Sequence, residues 1–163
     1  MSDVLCIGYS RSGKTEAALK EIGGALNAEV VSITDGVQRG GWKGFVRSGM
    51  DAMKKTTAPL LPFHTEKPLA EYRLVILGTP IWAGRCCSIV RRFLMENGKQ
   101  LPDTAFVVTR GGENKYEEVY EQMDRYLAKP HVLAVSLRSD SVGYHFWQEE
   151  FLRQAREYLA KEQ

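Results

Sequence analysis

The chain has 163 residues, 44% of them hydrophobic and 26% charged, which is the size and composition of one ordinary globular domain, 1–163. No apolar stretch approaches the roughly 18 residues that cross a bilayer. Met1-Ser2-Asp3-Val4 has no basic region leading into an apolar one, so neither a membrane span nor a signal peptide is expected and the protein reads as cytoplasmic. The formal net charge is +2 but uneven: residues 36–67 carry six Lys/Arg against two acids, and residues 113–124 five acids against Lys115 alone. That asymmetry suits either an acidic partner or a plain mixed surface.

Residues 4–9 are a continuous apolar run and predict a strand buried on both faces. In residues 15–26, Thr15, Ala18, Leu19, Ile22, Ala25 and Leu26 fall at helical spacing. Further strands are expected at 29–33, 75–79, 105–109 and 132–137. Helical patterns lie between and after them, around Ile89-Val90-Phe93-Leu94, Tyr116-Val119-Tyr120-Met123 and Trp147-Phe151-Ala155. Strands alternating with helices predict an α/β fold: a doubly wound five-stranded parallel sheet with helices on both faces and right-handed crossovers. The strand order that fits this length is 2-1-3-4-5. Residues 36–70 interrupt the rhythm as a helix-plus-loop insertion. Trp42, Phe45, Val46, Met50 and Met53 predict a helix over Gly41–Lys54, and residues 56–68, with three prolines, an extended loop. Such an insertion serves as a lid, a docking surface or a cover for the sheet.

Two loops carry the chemistry. Leu77-Gly78-Thr79-Pro80-Ile81-Trp82-Ala83-Gly84 predicts a buried strand that ends in a Gly/Pro turn and delivers Trp82 to the surface at its carboxyl edge. That edge is where open α/β sheets bind ligands, and an indole there offers a flat face to a flat ligand. The loop Tyr9-Ser10-Arg11-Ser12-Gly13-Lys14-Thr15 follows the first strand and opens a helix. With Gly8 it satisfies G-x-x-x-x-G-K-[ST], in which Lys14 would reach nucleotide phosphates and Thr15 magnesium. That reading needs an acid at a neighbouring strand end, and only Asp35 comes near. The same residues satisfy [ST]-x-[ST]-G-x-T, in which hydroxyls and helix N-terminal amides wrap one terminal phosphate without a metal. Ordinary helix capping by Ser10, Ser12 or Thr15 is the plain alternative.

Together these loops resemble the flavodoxin-like family. Ser10, Arg11, Ser12, Gly13, Lys14 and Thr15 look like its phosphate loop, and Thr79, Pro80, Ile81, Trp82, Ala83 and Gly84 like its second flavin loop. Thr109, Arg110, Gly111 and Gly112 occupy the place of its third. The resemblance covers nearly the whole chain and implies FMN as cofactor: the first loop on its phosphate, Trp82 stacked on the isoalloxazine, and Gly111 and Gly112 at the pyrimidine end. Tyr116 is either an outer ring partner or the start of the fourth helix, pointing inward. The implied function is electron transfer with a partner protein, the alternative being an FMN-dependent NAD(P)H:quinone or small-molecule oxidoreductase. A P-loop nucleotide-binding protein and a binding module without cofactor are the readings of another class. This chain departs from its relatives in a basic rim of Arg11, Lys14, Arg85 and Arg110, which would favour an acidic partner, a phosphorylated pyridine nucleotide or a negatively charged reduced flavin.

No residue is expected to act as nucleophile or general base. The three histidines lack metal-ligand spacing, and a disulfide between adjacent Cys86 and Cys87 would be strained. Trp42 and Phe45 are expected on the apolar stripe of their helix rather than on a nucleic-acid surface.

Overall fold

The computed structural model describes residues 2–161; Met1, where the leader reading begins, and Glu162 and Gln163 lie outside the described residues. In chain order the strands are β1 (Val4–Gly8), β2 (Glu29–Ser32), β3 (Leu74–Trp82), β4 (Arg85–Cys86), β5 (Thr104–Thr109) and β6 (Leu133–Leu137). The helices are α1 (Lys14–Leu26), α2 (Gly41–Lys54), α3 (Ser88–Asn97), α4 (Glu118–Asp124) and α5 (Tyr144–Lys161). The parallel strands run in the order β2-β1-β3-β5-β6, and β4 pairs antiparallel with the end of β3. Apart from β4, this is the expected order 2-1-3-4-5.

The period of two along each strand divides the interior into two layers. Leu5, Ile7, Val75, Leu77 and Phe106 face one side, where α3 and α4 bring Ile89, Phe93, Leu94, Val119 and Met123. Val4, Cys6, Ile76, Ala105 and Val107 face the other, where α1 brings Ala18, Leu19 and Ile22 and α5 brings Phe151 and Leu152. Phe93, Phe106 and Phe151 are among the largest fully buried side chains. Each contributes about 1.5–3 kcal/mol relative to an exposed position.

Two sequence expectations need correcting. The third strand does not stop at Gly78-Thr79-Pro80: β3 runs through them, with Thr79 and Pro80 opposite Val108 and Thr109 of β5. The partner on the other side, β1, ends where Gly8 meets Gly78, so from there β3 is an edge strand on that side. A proline costs no ladder hydrogen bond at such an edge. The reversal comes later, at Ala83 (φ 51°) and Gly84 (φ 75°), a two-residue hairpin turn with both φ values positive.

The insertion helix has the expected bounds, but its large apolar side chains do not face the sheet. Trp42, Phe45 and Met53 are each more than 60% exposed, while Gly44, Ser48 and Ala52 are buried. A Cβ at Gly44 would lie 2.0 Å from the carbonyl carbon of Arg39, so the helix approaches that backbone too closely for larger residues.

The closest approach near the ligand edge is between the paired glycines of β1 and β3. A Cβ at Gly8 would lie 2.2 Å from the carbonyl oxygen of Gly78. Gly8→Ala is expected to destabilise the protein by about 1–3 kcal/mol, the usual range for overpacking, read as a lower urea midpoint at unchanged slope.

Candidate functional site

At the carboxyl ends of β1, β3 and β5 three loops enclose a cavity of about 210 Å³. Gly13 takes φ 97°, with nothing within 4 Å of where a Cβ would stand, and so turns the chain into α1 over open space. The amides of Lys14, Thr15 and Glu16 in the first turn have no intrahelical acceptor and carry the positive end of the helix dipole. Capping does not consume these groups: Ser10 Oγ accepts from Gly13 N–H (3.0 Å) and not from the first-turn amides, and Gly13, at the cap position, has no side chain to offer. Arg11, Ser12, Lys14 and Thr15 line the cavity. Lys14 Nζ reaches Asp140 at 3.7 Å in an exposed pair that contributes little.

Thr15 is buried, and its Oγ1 lies 2.6 Å from Thr109 Oγ1, so the first and third loops are tied directly. One hydroxyl donates, and the other keeps its proton for a further acceptor. Arg110 lines the cavity, but its guanidinium is engaged: Nε donates to Ser136 Oγ of β6 (2.9 Å) and Nη1 to the Gly112 carbonyl of its own loop (2.5 Å). Gly111 also lines the cavity; Gly112 does not.

From the second loop Pro80, Ile81, Trp82 and Ala83 line the wall. Trp82 is not delivered to the surface: it is 6% exposed. The hairpin folds it inward, edge-on to Tyr9 at 5.7 Å, with the Arg39 guanidinium 4.8 Å from its ring centroid. With one face under Arg39, the indole has only its remaining surface to give to the cavity wall. A second aromatic, Phe45 of α2, also lines the cavity, 64% exposed, with Arg11 above its ring at 5.5 Å. Thr79 is buried and accepts the Cys87 N–H (3.0 Å), so it shapes the start of α3 rather than the cavity. Ser10, Gly13 and Gly84 also lie outside the lining. Tyr116 neither begins α4 nor lines the cavity. Its backbone takes φ 56°, its N–H donates to Asn114 Oδ1 (2.9 Å), and its ring sits 3.9 Å from where a Cβ on Gly84 would be. Arg85 departs from the expected rim as well: it faces a different cavity.

Sequence reasoning missed Arg39, seen there only as one charge in a basic stretch. Its side chain is 2% exposed and is held by Asp35 (2.8 Å), Asp51 (3.0 Å) and Ser48 Oγ (3.2 Å). Burial alone would lower its pKa; the hydrogen bonds and charges of Asp35 and Asp51 outweigh that and hold it above the ordinary value. This pairing also takes Asp35 from the metal role that a P-loop reading required. No group of three metal-capable side chains occurs among the described residues.

The chain matches no protein-family model and no curated protein. Solved structures do match. A flavoprotein from Lactobacillus acidophilus in complex with FMN is similar over 90% of this chain and 99% of its own, with TM-score 0.66 and 19% identity. A protein from Bacteroides uniformis matches with TM-score 0.72 and 18% identity, over 95% and 98% of the two chains. An NAD(P)H:quinone oxidoreductase from Methanothermobacter marburgensis matches with TM-score 0.51 and 12% identity, over 94% and 93%. The chain has the flavodoxin-like fold.

In this flavodoxin-like chain all three cysteines are free thiols. Burial pushes Cys86 up to about 11 and Cys87 up to about 12, so both remain neutral at ordinary pH. A thiol reagent at pH 8 is expected to modify them only as fast as the protein unfolds; rapid native-state alkylation at both positions would contradict their burial. Arg39→Met leaves Asp35 and Asp51 without their cation and is expected to cost about 3–5 kcal/mol in chemical denaturation.

Proposed function

We propose that the chain is an FMN-binding redox protein that exchanges electrons with a partner protein. The observation that carries this reading is the meeting of three loops, after β1, β3 and β5, in one cavity at the N-terminus of α1. It lies where the strand order turns from β1–β2 to β1–β3, the position at which doubly wound sheets of this order hold FMN. The residues fit the group. Ser12 and the amides of Lys14, Thr15 and Glu16 would receive the phosphate, and the open space over Gly13 leaves room for its oxygens. Pro80 to Ala83 would form the inner wall against the ring, Phe45 would cover its outer side, and Gly111 would present backbone to its edge. Bound there, FMN supplies electron transfer. The chain binds and orients it, and the Arg11 guanidinium at the mouth adds positive charge.

The α2 surface supports a protein partner. Trp42, Phe45, Val46, Met50 and Met53 form an exposed apolar stripe beside the cavity, flanked by Lys43, Arg47 and Lys54. A partner bearing acidic side chains around an apolar centre complements it.

The second reading is an FMN-dependent NAD(P)H:quinone oxidoreductase. Exposed Phe45 beneath Arg11 favours it as a platform for a flat, electron-poor ring.

FMN titration followed by quenching of flavin fluorescence tests the cofactor. The wild-type chain is expected to bind stoichiometrically at micromolar concentration. Ser12→Asp, which places a carboxylate at the phosphate end, is expected to bind about tenfold or more weakly. No binding by the wild type ends the proposal. Steady-state oxidation of NADPH with a quinone acceptor then separates the two readings: turnover by the FMN-loaded chain favours the enzyme, and its absence the carrier.

A further inference from the structure

A second cavity, of about 320 Å³, shares no lining residue with the first. It forms where the C-terminal ends of α2 and α4 meet β4 and the early turns of α3. Four cations line it: Lys55 after α2, Arg85 on β4, Arg91 on α3 and Arg125 after α4. Gln122 and Tyr126 complete the polar wall, and no carboxylate lines it. None of the four cations is ion-paired with a carboxylate among the described residues.

Arg91 is the telling member. It is 4% exposed, its Nη2 donates to the Ala52 carbonyl at 3.4 Å, and its buried Nη1 has no acceptor. A guanidinium withdrawn from water costs least when paired and hydrogen-bonded; Arg39, Arg92 and Arg138 each leave a buried Nε without an acceptor, but buried Arg39 has two carboxylates and Arg91 has none. The carbonyl ends of α2 and α4 turn partial negative charge toward the cations and help to hold them in place. They do not supply the acceptor that Nη1 lacks. The positive field is felt locally: the charges of Arg91 and Arg85 oppose the burial that raises the Cys86 thiol.

We propose that this cavity binds a phosphate group. Arg91 supplies the buried guanidinium, whose Nη1 has a donor to give to an oxygen of a tetrahedral anion while Nη2 is held by Ala52, and Arg85, Arg125 and Lys55 neutralise the charge from the solvent side. The Gln122 amide provides a neutral donor. The shared chemistry is that of a phosphate monoester or inorganic phosphate, presented either free or at the end of a nucleotide. The inference does not depend on FMN.

Thermal unfolding of the full chain at constant ionic strength, with chloride replaced stepwise by inorganic phosphate, tests it. A parallel series uses adenosine monophosphate. Because the Ser10–Thr15 turn is itself a phosphate candidate, both series are repeated with Ser12→Asp. Phosphate is expected to raise the unfolding temperature of the wild type and of Ser12→Asp. The apparent affinity is expected to fall by about tenfold or more in Arg91→Met and in the exposed variant Arg125→Ala. Tighter binding of the nucleotide assigns the source to a nucleotide phosphate, and equal binding to the free ion. An unchanged response in Arg125→Ala, or a response lost in Ser12→Asp instead, overturns the proposal.

Discussion

Arg39 lies between Asp35 and Asp51 with its guanidinium against Trp82, and the arrangement of the ligand edge follows from that contact. Asp35 stands at the exit of β2, Asp51 in the last turns of α2, and Trp82 at the tip of β3. One buried cation thus fastens the insertion to the strand end that borders the cavity. The arrangement is costly to desolvate and only worthwhile when complete, which is why two carboxylates and a hydroxyl surround a single guanidinium. It has a steric consequence too. The α2 helix lies so close to the Arg39 backbone at Gly44 that no Cβ fits there, and with Ser48 and Ala52 its buried face is made of small residues while its bulky apolar residues turn to solvent.

The cavity is correspondingly asymmetric. Its end at α1 is built from a left-handed glycine and unpaired helix amides, beside a pair of threonine hydroxyls that couple the first loop to the third. Its far wall is built from the β3 edge and from Phe45, a residue of the insertion. A ligand spanning both would connect the β1–α1 turn at the strand-order reversal to the insertion helix. The positive charge near that mouth comes from Arg11 rather than from Arg85, which belongs to the other cavity.

Where local pattern and backbone rule coincide, the sequence could be read directly. The strand order, the two buried faces of β1, β3 and β5, the bounds of α2 and the glycine turn before α1 all follow from apolar periodicity and loop spacing. The turn into α1 was legible for the same reason: its free amides have positions set by the helix start itself. The ring end was not. Gly78-Thr79-Pro80 looks like a strand terminator, yet it continues β3 because β1 has already ended beside it. The Ala83-Gly84 turn gives little sequence signal because alanine rarely takes a positive φ.

What the amino-acid order determined by itself is therefore the doubly wound framework and the anion-receptive turn, because both arise from interactions between residues near in sequence or from the period of burial along a strand. What only the tertiary structure decided is how the aromatics are set around the cavity and where each cation goes. One face of Trp82 is covered because Arg39, 43 residues earlier, finds its counter-charges in that place. Arg91 and Arg85 converge because two helix ends and a hairpin happen to close around them. Asp35 lies only four residues from Arg39, but the contacts of Arg39 to Asp51 and to Trp82 join separate elements, and no local pattern in the chain encodes those.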